Sequence, residues 1–384
     1  MSSELLSEDE LLLKNTVREF ADNELAPRAA HYDETGDFPW DNMRGLADLG
    51  LLGLGIDQEY GGGGGTARQT AVAVEEIARA CAATSTIYIA HLSLCTQFIQ
   101  MFGTEGQKQQ FIPPLVRGEK IGAFALTEPE AGSDPASMTT TATRTNGSYQ
   151  LNGTKTFITN AVEASTFVVL ATMDRTLRTR GISALILEKG ERGLSVSRLP
   201  GQMGIRASST AEVVFDNCLV PEENRLGEEG SGFREAMDVL NASRIGIAAQ
   251  CVGIAQAAYD AALDYARQRK AFGQRLSEFQ GLQWMLVDMA TSIDAARLLT
   301  LRAATLWDRG RPSATEASMA KLYASRVAVE NSNKAVQIHG GAGYFAPANV
   351  ERYYRDAKVT EIYEGTSEMQ RLIIARNLIP TDPS

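Results

Sequence analysis

Long apolar runs are missing from this 384-residue chain. Nothing in it approaches the roughly 20 uninterrupted apolar residues that a membrane-spanning helix needs, so no spanning segment is expected. Paired cysteines are missing too. Cys81, Cys95, Cys218 and Cys251 show no C-x-x-C spacing and lie in apolar or helical surroundings, which argues against a zinc site or a disulfide framework. Histidine is scarce: His31, His91 and His339 are widely scattered and give a His-based triad or metal cluster little to draw on, so no metal is expected. An excess of positive charge is also absent. The 37 Lys and Arg face 47 Asp and Glu, a formal charge of −10 that repels a phosphate backbone and argues against nucleic-acid binding. The N-terminal stretch puts acids where a secretion signal puts bases, and its Leu11-Leu12-Leu13 run is too short for an apolar core, so a cytoplasmic location is expected.

What remains is the composition of a folded globular protein, 44% hydrophobic and 22% charged, at a length that favours two or three domains. Ser7 and Glu10 fit a capping box, and Leu11, Val17 and Phe20 recur at near-helical spacing, predicting a first helix to about residue 33. A second covers Trp40 to Leu49. The five glycines at 61–65 lack the Lys and Ser/Thr of a phosphate-binding loop and read as a turn. Helical patterning resumes from Thr66 through Ile112, where Pro113-Pro114 punctuates it. Between about 121 and 229 the pattern changes to strands, at Phe167 to Met173, Ile182 to Leu187 and Ala211 to Phe215, with turn signals at Gly147 and Gly153. Beyond that, Gly232 to Arg269 holds no proline and predicts a helix of roughly 55 Å. Further helices are predicted over Gln280 to Trp307, Ala314 to Ile338 and Ser367 to Leu378. The expected fold class is α+β multidomain: an α-helical N-terminal domain (1–120), a middle antiparallel β domain (121–229) and a C-terminal helical bundle (230–384).

Four segments are poorly explained by packing alone. Phe124 to Asp134 (F-A-L-T-E-P-E-A-G-S-D) follows an apolar strand with hydroxyls, a proline and a glycine, either an Asx-rich turn or a strand end that offers donors to a polar ring. Lys155 to Asn160 (K-T-F-I-T-N) is a second aromatic and hydroxyl cluster. Gln337 to Gly343 (Q-I-H-G-G-A-G) ends a long helix in glycines, which serves as a C-cap or admits a pyrophosphate close to the backbone. In Arg355 to Arg371, Glu364 precedes Gly365 and a Thr-Ser pair able to cap the last helix, so it falls in a short loop, where carboxylates are ordinarily solvated.

In this order and spacing, with Arg269-Lys-Ala-Phe-Gly273 added, these motifs resemble the acyl-CoA dehydrogenase family over essentially the whole chain, most closely its short-chain (butyryl-CoA) branch. The resemblance implies a C-terminal four-helix bundle and a noncovalent FAD. It implies that Phe124, Leu126, Thr127, Gly132, Ser133, Phe157, Ile158 and Thr159 line the flavin, with Ser133 also touching the acyl-CoA. It assigns Arg269, Phe272, Gln280, Gln337, Ile338, His339, Gly340, Gly341, Thr366, Ser367 and Glu368 to the cofactor, some of them reaching across from a neighbouring subunit, and so implies a homo-oligomer, usually a tetramer. Asn241, Arg244 and Gly365 match substrate positions, although the family often has Asp where this chain has Asn241. Glu364 matches the catalytic base. Relatives that take their base from the long helix carry it at the position of Ser243, which offers no carboxylate. The implied reaction removes the α-proton of an acyl-CoA with Glu364 and passes the β-hydride to flavin N5, yielding a trans-2-enoyl-CoA. The implied electron acceptor is electron-transferring flavoprotein, although Phe157 stands where many relatives have tryptophan. A flavin oxidase or monooxygenase of the same fold, and a non-catalytic binding protein, remain open as alternatives, as do branched short acyl groups.

Overall fold

The computed structural model describes residues 5–311 and 313–379. The N-terminal part is helical. The Ser7 hydroxyl accepts the Glu10 N–H while the Glu10 carboxylate accepts the Ser7 N–H, so the capping box starts α1 (Glu8–Phe20). A π-helical turn (Ala21–Leu25) joins it to α2 (Ala26–Thr35). There follow α3 (Trp40–Asp48), α4 (Ala67–Ala80), α5 (Ala82–Ile89), α6 (Gln97–Phe102) and α7 (Glu105–Val116).

The single helical run expected over 66–112 is interrupted. Cys81 adopts an extended conformation (φ −150°) between α4 and α5, and Gly103 is extended between α6 and α7. Pro113 and Pro114 do not end a helix; they lie inside α7. Each proline forfeits one backbone bond, and the loss falls in the final turn, where the N–H groups of Arg117 and Gly118 close on the carbonyls of Pro113 and Leu115.

The middle of the chain forms one eight-stranded sheet: β1 (Gly122–Ala125), β2 (Thr141–Thr145), β3 (Ser148–Thr159), β4 (Thr166–Thr172), β5 (Ile182–Glu188), β6 (Leu194–Arg198), β7 (Thr210–Pro221) and β8 (Arg225–Leu226). The order is β6-β7-β3-β2-β4-β5-β8, with β1 added beside β4. Its ladders are antiparallel as expected, except that β1 runs parallel to β4 and Thr141 meets Thr172 in parallel. The β2–β3 hairpin supplies the long crossover that a parallel pair requires. Gly153 lies within β3 rather than in a turn, beside a register shift after Leu151.

β4 is buried throughout because it has two cores. Phe167, Val169 and Ala171 join the interior of the sheet, whereas Val168 and Leu170 pack toward the helices. That second face fastens the sheet to the helical parts.

The C-terminal part is α8 (Gly232–Gln268), a two-stranded ribbon of β9 (Lys270–Ala271) and β10 (Gln274–Arg275), α9 (Gln280–Asp308), α10 (Ala314–His339), α11 (Val350–Lys358) and α12 (Ser367–Leu378). α8 is the axis, packed on α10 and α9 and, from the N-terminal part, on α4. Its approach to α4 depends on Gly253, where an added Cβ would fall 2.4 Å from the Glu75 carbonyl oxygen. Arg297 of α9 completes that junction with a buried, bidentate pair to the Glu75 carboxylate. No helix among the described residues is long and apolar enough to cross a membrane.

Candidate active site

The loop between α11 and α12 is held in an unusual shape. Thr366 caps α12, its hydroxyl accepting the Met369 N–H. Immediately before it, Glu364 (φ 52°) and Gly365 (φ 98°) are both left-handed. For a residue with a Cβ that conformation costs about 1–3 kcal/mol, so the surroundings must impose it. Three helices supply donors. Arg244 of α8 donates Nε to the Glu364 carbonyl at 3.2 Å, and Lys321 of α10 donates Nζ to the Gly365 carbonyl at 2.7 Å. Gln370 of α12 donates Nε2 to the same two carbonyls, at 3.4 and 2.8 Å.

The two carboxylate oxygens of Glu364 differ. Oε1 accepts a 2.9 Å hydrogen bond from the Ser243 hydroxyl, whereas Oε2 is sealed from solvent and has no protein partner. Burial raises the carboxyl to about 7, against the opposing pull of the Ser243 hydrogen bond and the charges of Arg244 and Lys321. It therefore titrates near neutrality. Arg244 is itself buried; desolvation lowers its guanidinium from the usual range, and the Glu364 charge opposes that. Its Nη1 donates to Asn241 Oδ1 at 2.7 Å, so the two residues matched to substrate positions are paired with each other.

Behind the base, the Tyr363 hydroxyl donates to Gln250 Oε1. The fully buried Gln250 in turn donates to the Ala82 carbonyl and to the hydroxyls of Ser85 and Thr86, all on α5. Ser243 and Gln250, seven residues apart, share one face of α8, so the donor to the base and this polar floor are aligned.

The 124–134 and 155–160 motifs come together. The Thr156 N–H donates to the Thr127 carbonyl at 2.9 Å, and Lys155 Nζ donates to the Leu126 carbonyl at 2.9 Å and to Glu128 Oε1 at 2.8 Å. Glu128 also accepts from the N–H groups of Thr139 and Thr140. Burial alone would raise its carboxyl, but the Lys155 charge and these donors outweigh it and hold Glu128 at about 2. Phe124 is buried against Phe98, Leu126 and Thr127 are half-buried, and Gly132 and Ser133 are exposed. Between Lys155 and Ile158 the β3–β7 register shifts; Phe157, at φ 56°, is turned outward and left 68% exposed, while Ile158 is buried and Thr159 pairs with Thr210. Asn160 then donates to the carbonyls of Ile87 and Gly122. α5 thus touches the end of β3 at Ile87 and the floor behind Glu364 at Thr86, which brings the two regions to one place.

Family models describing the acyl-CoA dehydrogenase N-terminal, middle and C-terminal domains match residues 7–119, 123–218 and 230–379. The short-chain specific acyl-CoA dehydrogenase of Clostridium acetobutylicum is 49% identical over 370 residues, covering 96% of this chain and 98% of that protein. The chain belongs to the acyl-CoA dehydrogenase family. The butyryl-CoA dehydrogenase structure from Megasphaera elsdenii superposes with a TM-score of 0.95 at 42% identity, over 97% of this chain and 98% of that one. A solved chain from work on the electron transferring flavoprotein of Acidaminococcus fermentans and flavin-based electron bifurcation superposes with a TM-score of 0.96 at 44% identity, over 98% and 99%.

In this acyl-CoA dehydrogenase the remaining expected cofactor positions fall into two further groups. Thr366, Ser367 and Glu368 border a groove of about 550 Å³ between α10 and α12. Arg269, Phe272, Gln280 and Gln337 to Gly341 gather at the other end of the bundle, around the β9–β10 ribbon, the start of α9 and the end of α10. Arg269 lies 25 positions beyond Arg244 along α8 and its cap, roughly 37 Å at ~1.5 Å per residue, so this group does not meet Glu364 within one chain. There Phe272 is 96% exposed, the His339 ring stacks on Tyr265 at 4.3 Å, and Ile338 is buried. Gly340 and Gly341 face open space: an added Cβ at either would have no neighbour within 4 Å.

Lys321, Gln370, Gln250 and the Lys155–Glu128 pair carried no role in the sequence reading. One signal for Lys321 was present: it shares a helical face with Ala317, Ala324 and Ala328, all fully buried, where a lysine is out of character.

Proposed function

We propose that this chain is an FAD-dependent acyl-CoA dehydrogenase that desaturates short-chain acyl-CoA thioesters between Cα and Cβ, with Glu364 as the base. The observation that carries this reading is the asymmetry of the Glu364 carboxyl. Oε1 is held by Ser243 and Oε2 is buried without a partner, on a group that titrates at about 7. Oε2 is the oxygen left to receive the α-proton, and a base poised near neutrality is ionised often enough to act and basic enough to pull. Arg244 and Lys321 favour the charged form and so offset part of the rise that burial imposes.

The residues present suit a flavin. The protruding Phe157, the hydroxyls of Thr127 and Thr159 and the loop tied down by Lys155 offer a flat aromatic face beside hydrogen-bonding groups. Phe124, Leu126, Gly132, Ser133 and Ile158 complete that wall, and the unobstructed backbone at Gly340 and Gly341 suits a diphosphate. When bound, FAD accepts the hydride from Cβ. The chain's own part is to orient the thioester, hold the base and take the proton.

A span of roughly 37 Å along α8 between Arg244, beside the base, and Arg269 supports a shared site, in which Arg269, Phe272, Gln280 and Gln337 to Gly341 of one subunit complete the site of another, in a homo-oligomer expected to be a tetramer. Ser133, Asn241, Arg244 and Gly365 would face the CoA ester, and Thr366, Ser367 and Glu368 the cofactor. Electron-transferring flavoprotein is the expected acceptor and the cytoplasm the expected compartment. The names of the clostridial relative and the Megasphaera neighbour support short acyl groups.

Anaerobic mixing with butyryl-CoA should bleach the bound flavin, with little peroxide on admitting air, and a kcat/KM series over straight and branched acyl-CoAs should peak at short chains. Glu364→Gln should keep FAD and bind thioester but slow reduction by about 10³-fold or more. Near-normal reduction in that variant would remove Glu364 as the base, and rapid peroxide release would favour the oxidase.

A further inference from the structure

We propose that Lys321 and Gln370 are positioning residues for the base. Together they grip the Gly365 carbonyl and lock the Glu364–Gly365 turn in its left-handed form, a role that rests on Glu364 being the base. Two consecutive left-handed residues are not a conformation a glutamate keeps unaided. Here the turn is over-determined, because donors from three separate helices converge on two successive carbonyls.

Both residues give something up to make these contacts. Lys321 is fully buried, and its ammonium donates to the Gly365 carbonyl, a neutral acceptor. A buried ammonium is expensive to keep unless its position matters. Gln370 is also fully buried; it turns Nε2 toward the loop and leaves Oε1 sealed in without a partner. Gly365 is favoured by its own φ of 98°, and a Cβ there would fall 2.6 Å from Gln370 Nε2 and push that amide off the carbonyl it grips.

The two residues differ in charge, and this separates their effects. The titratable groups facing Lys321 are Cys251 and Arg244 from α8, Glu361 and Glu364 from the loop side and Glu368 from the first turn of α12. Its cation acts on the Glu364 carboxylate as well as on the backbone, whereas Gln370 acts on the backbone alone.

The test compares Lys321→Met and Gln370→Met with wild type as full-length, FAD-loaded protein. Both should retain FAD and bind butyryl-CoA within about threefold of wild type. Both should lose kcat rather than raise KM, by about 100-fold for Lys321→Met and about tenfold for Gln370→Met. The acid limb of kcat/KM should move to higher pH only in Lys321→Met. Amide hydrogen exchange in a peptide spanning residues 359–370 should quicken in both. The exchange measurement does not need turnover: if wild type fails to oxidise any thioester the functional reading falls, while exchange still decides the clamp. Unchanged exchange with kcat within threefold of wild type in both variants would overturn the proposal. So would a loss of rate matched by an equal loss of FAD. If Lys321→Met does not fold, Gln370→Met carries the test alone.

Discussion

Replacing Ser243 with alanine isolates a single contact on the base. The Ser243 hydroxyl donates to Glu364 Oε1 at 2.9 Å inside α8, where Ser243 is fully buried, so the methyl group left behind offers no substitute donor. A hydrogen bond to a charged group is worth about 1.5–3 kcal/mol, and one pKa unit corresponds to about 1.4 kcal/mol, so the carboxyl should move up by about 1–2 units. The sign follows from which form the bond stabilises: Ser243 favours the carboxylate, and its loss favours the acid. Because the starting value is about 7, wild type is roughly half ionised at neutral pH and the variant only ~1–10% ionised, so kcat/KM should fall about 5- to 50-fold there. At a pH ~2 units higher most of the loss should be recovered, because hydroxide restores the carboxylate that serine no longer favours. The assay is kcat/KM for butyryl-CoA with a dye acceptor between about pH 6 and pH 10, since that ratio reports groups of the free enzyme. An acid limb that stays within ~0.3 unit of wild type, or moves downward, would refute the idea that this hydroxyl tunes the base.

Two further substitutions probe the surrounding charges. Asn241→Asp places a carboxylate on Arg244, whose guanidinium otherwise faces the Glu364 charge; with that cation partly neutralised, the acid limb of kcat/KM should rise by about 0.5–1 unit, and a fall would contradict the electrostatic account. Lys155→Met strands the Glu128 carboxylate, almost fully buried, without its cation; stability should drop by about 3–5 kcal/mol in chemical denaturation, with FAD held less tightly, and adding Glu128→Gln should recover part of both. A single variant as stable as wild type would show that the pair is dispensable.

How much of this was legible before the fold was known depended on the range of the interaction. The Ser7 capping box, the proline-free α8 and the Thr366 cap of α12 were all readable, because each is decided within a few residues. The break at Cys81 was not: α5 beyond it is buried on every side, so its composition has no face from which a period could be read. The parallel placement of β1 on β4 depends on pairing across more than forty residues, and the outward turn of Phe157 on a register shift against β7, neither of which leaves a mark on the local pattern.

The site divides in the same way. Glu364 stood out through its family motif, yet a loop carboxylate in water would titrate in the ordinary range and pull weakly on a thioester. What raises it is burial, and what orients and moderates it is a serine 121 positions away, a lysine 43 positions away and an arginine 120 positions away, brought together from α8 and α10. Ser243 illustrates the difficulty best. Judged by residue type it is only the position where a carboxylate is missing. Once α8 passes behind the loop, the same hydroxyl becomes the donor that leaves one oxygen of the base held and the other free. The chemistry of the base is thus written partly in residues whose types are unremarkable and whose function is acquired from where three helices meet.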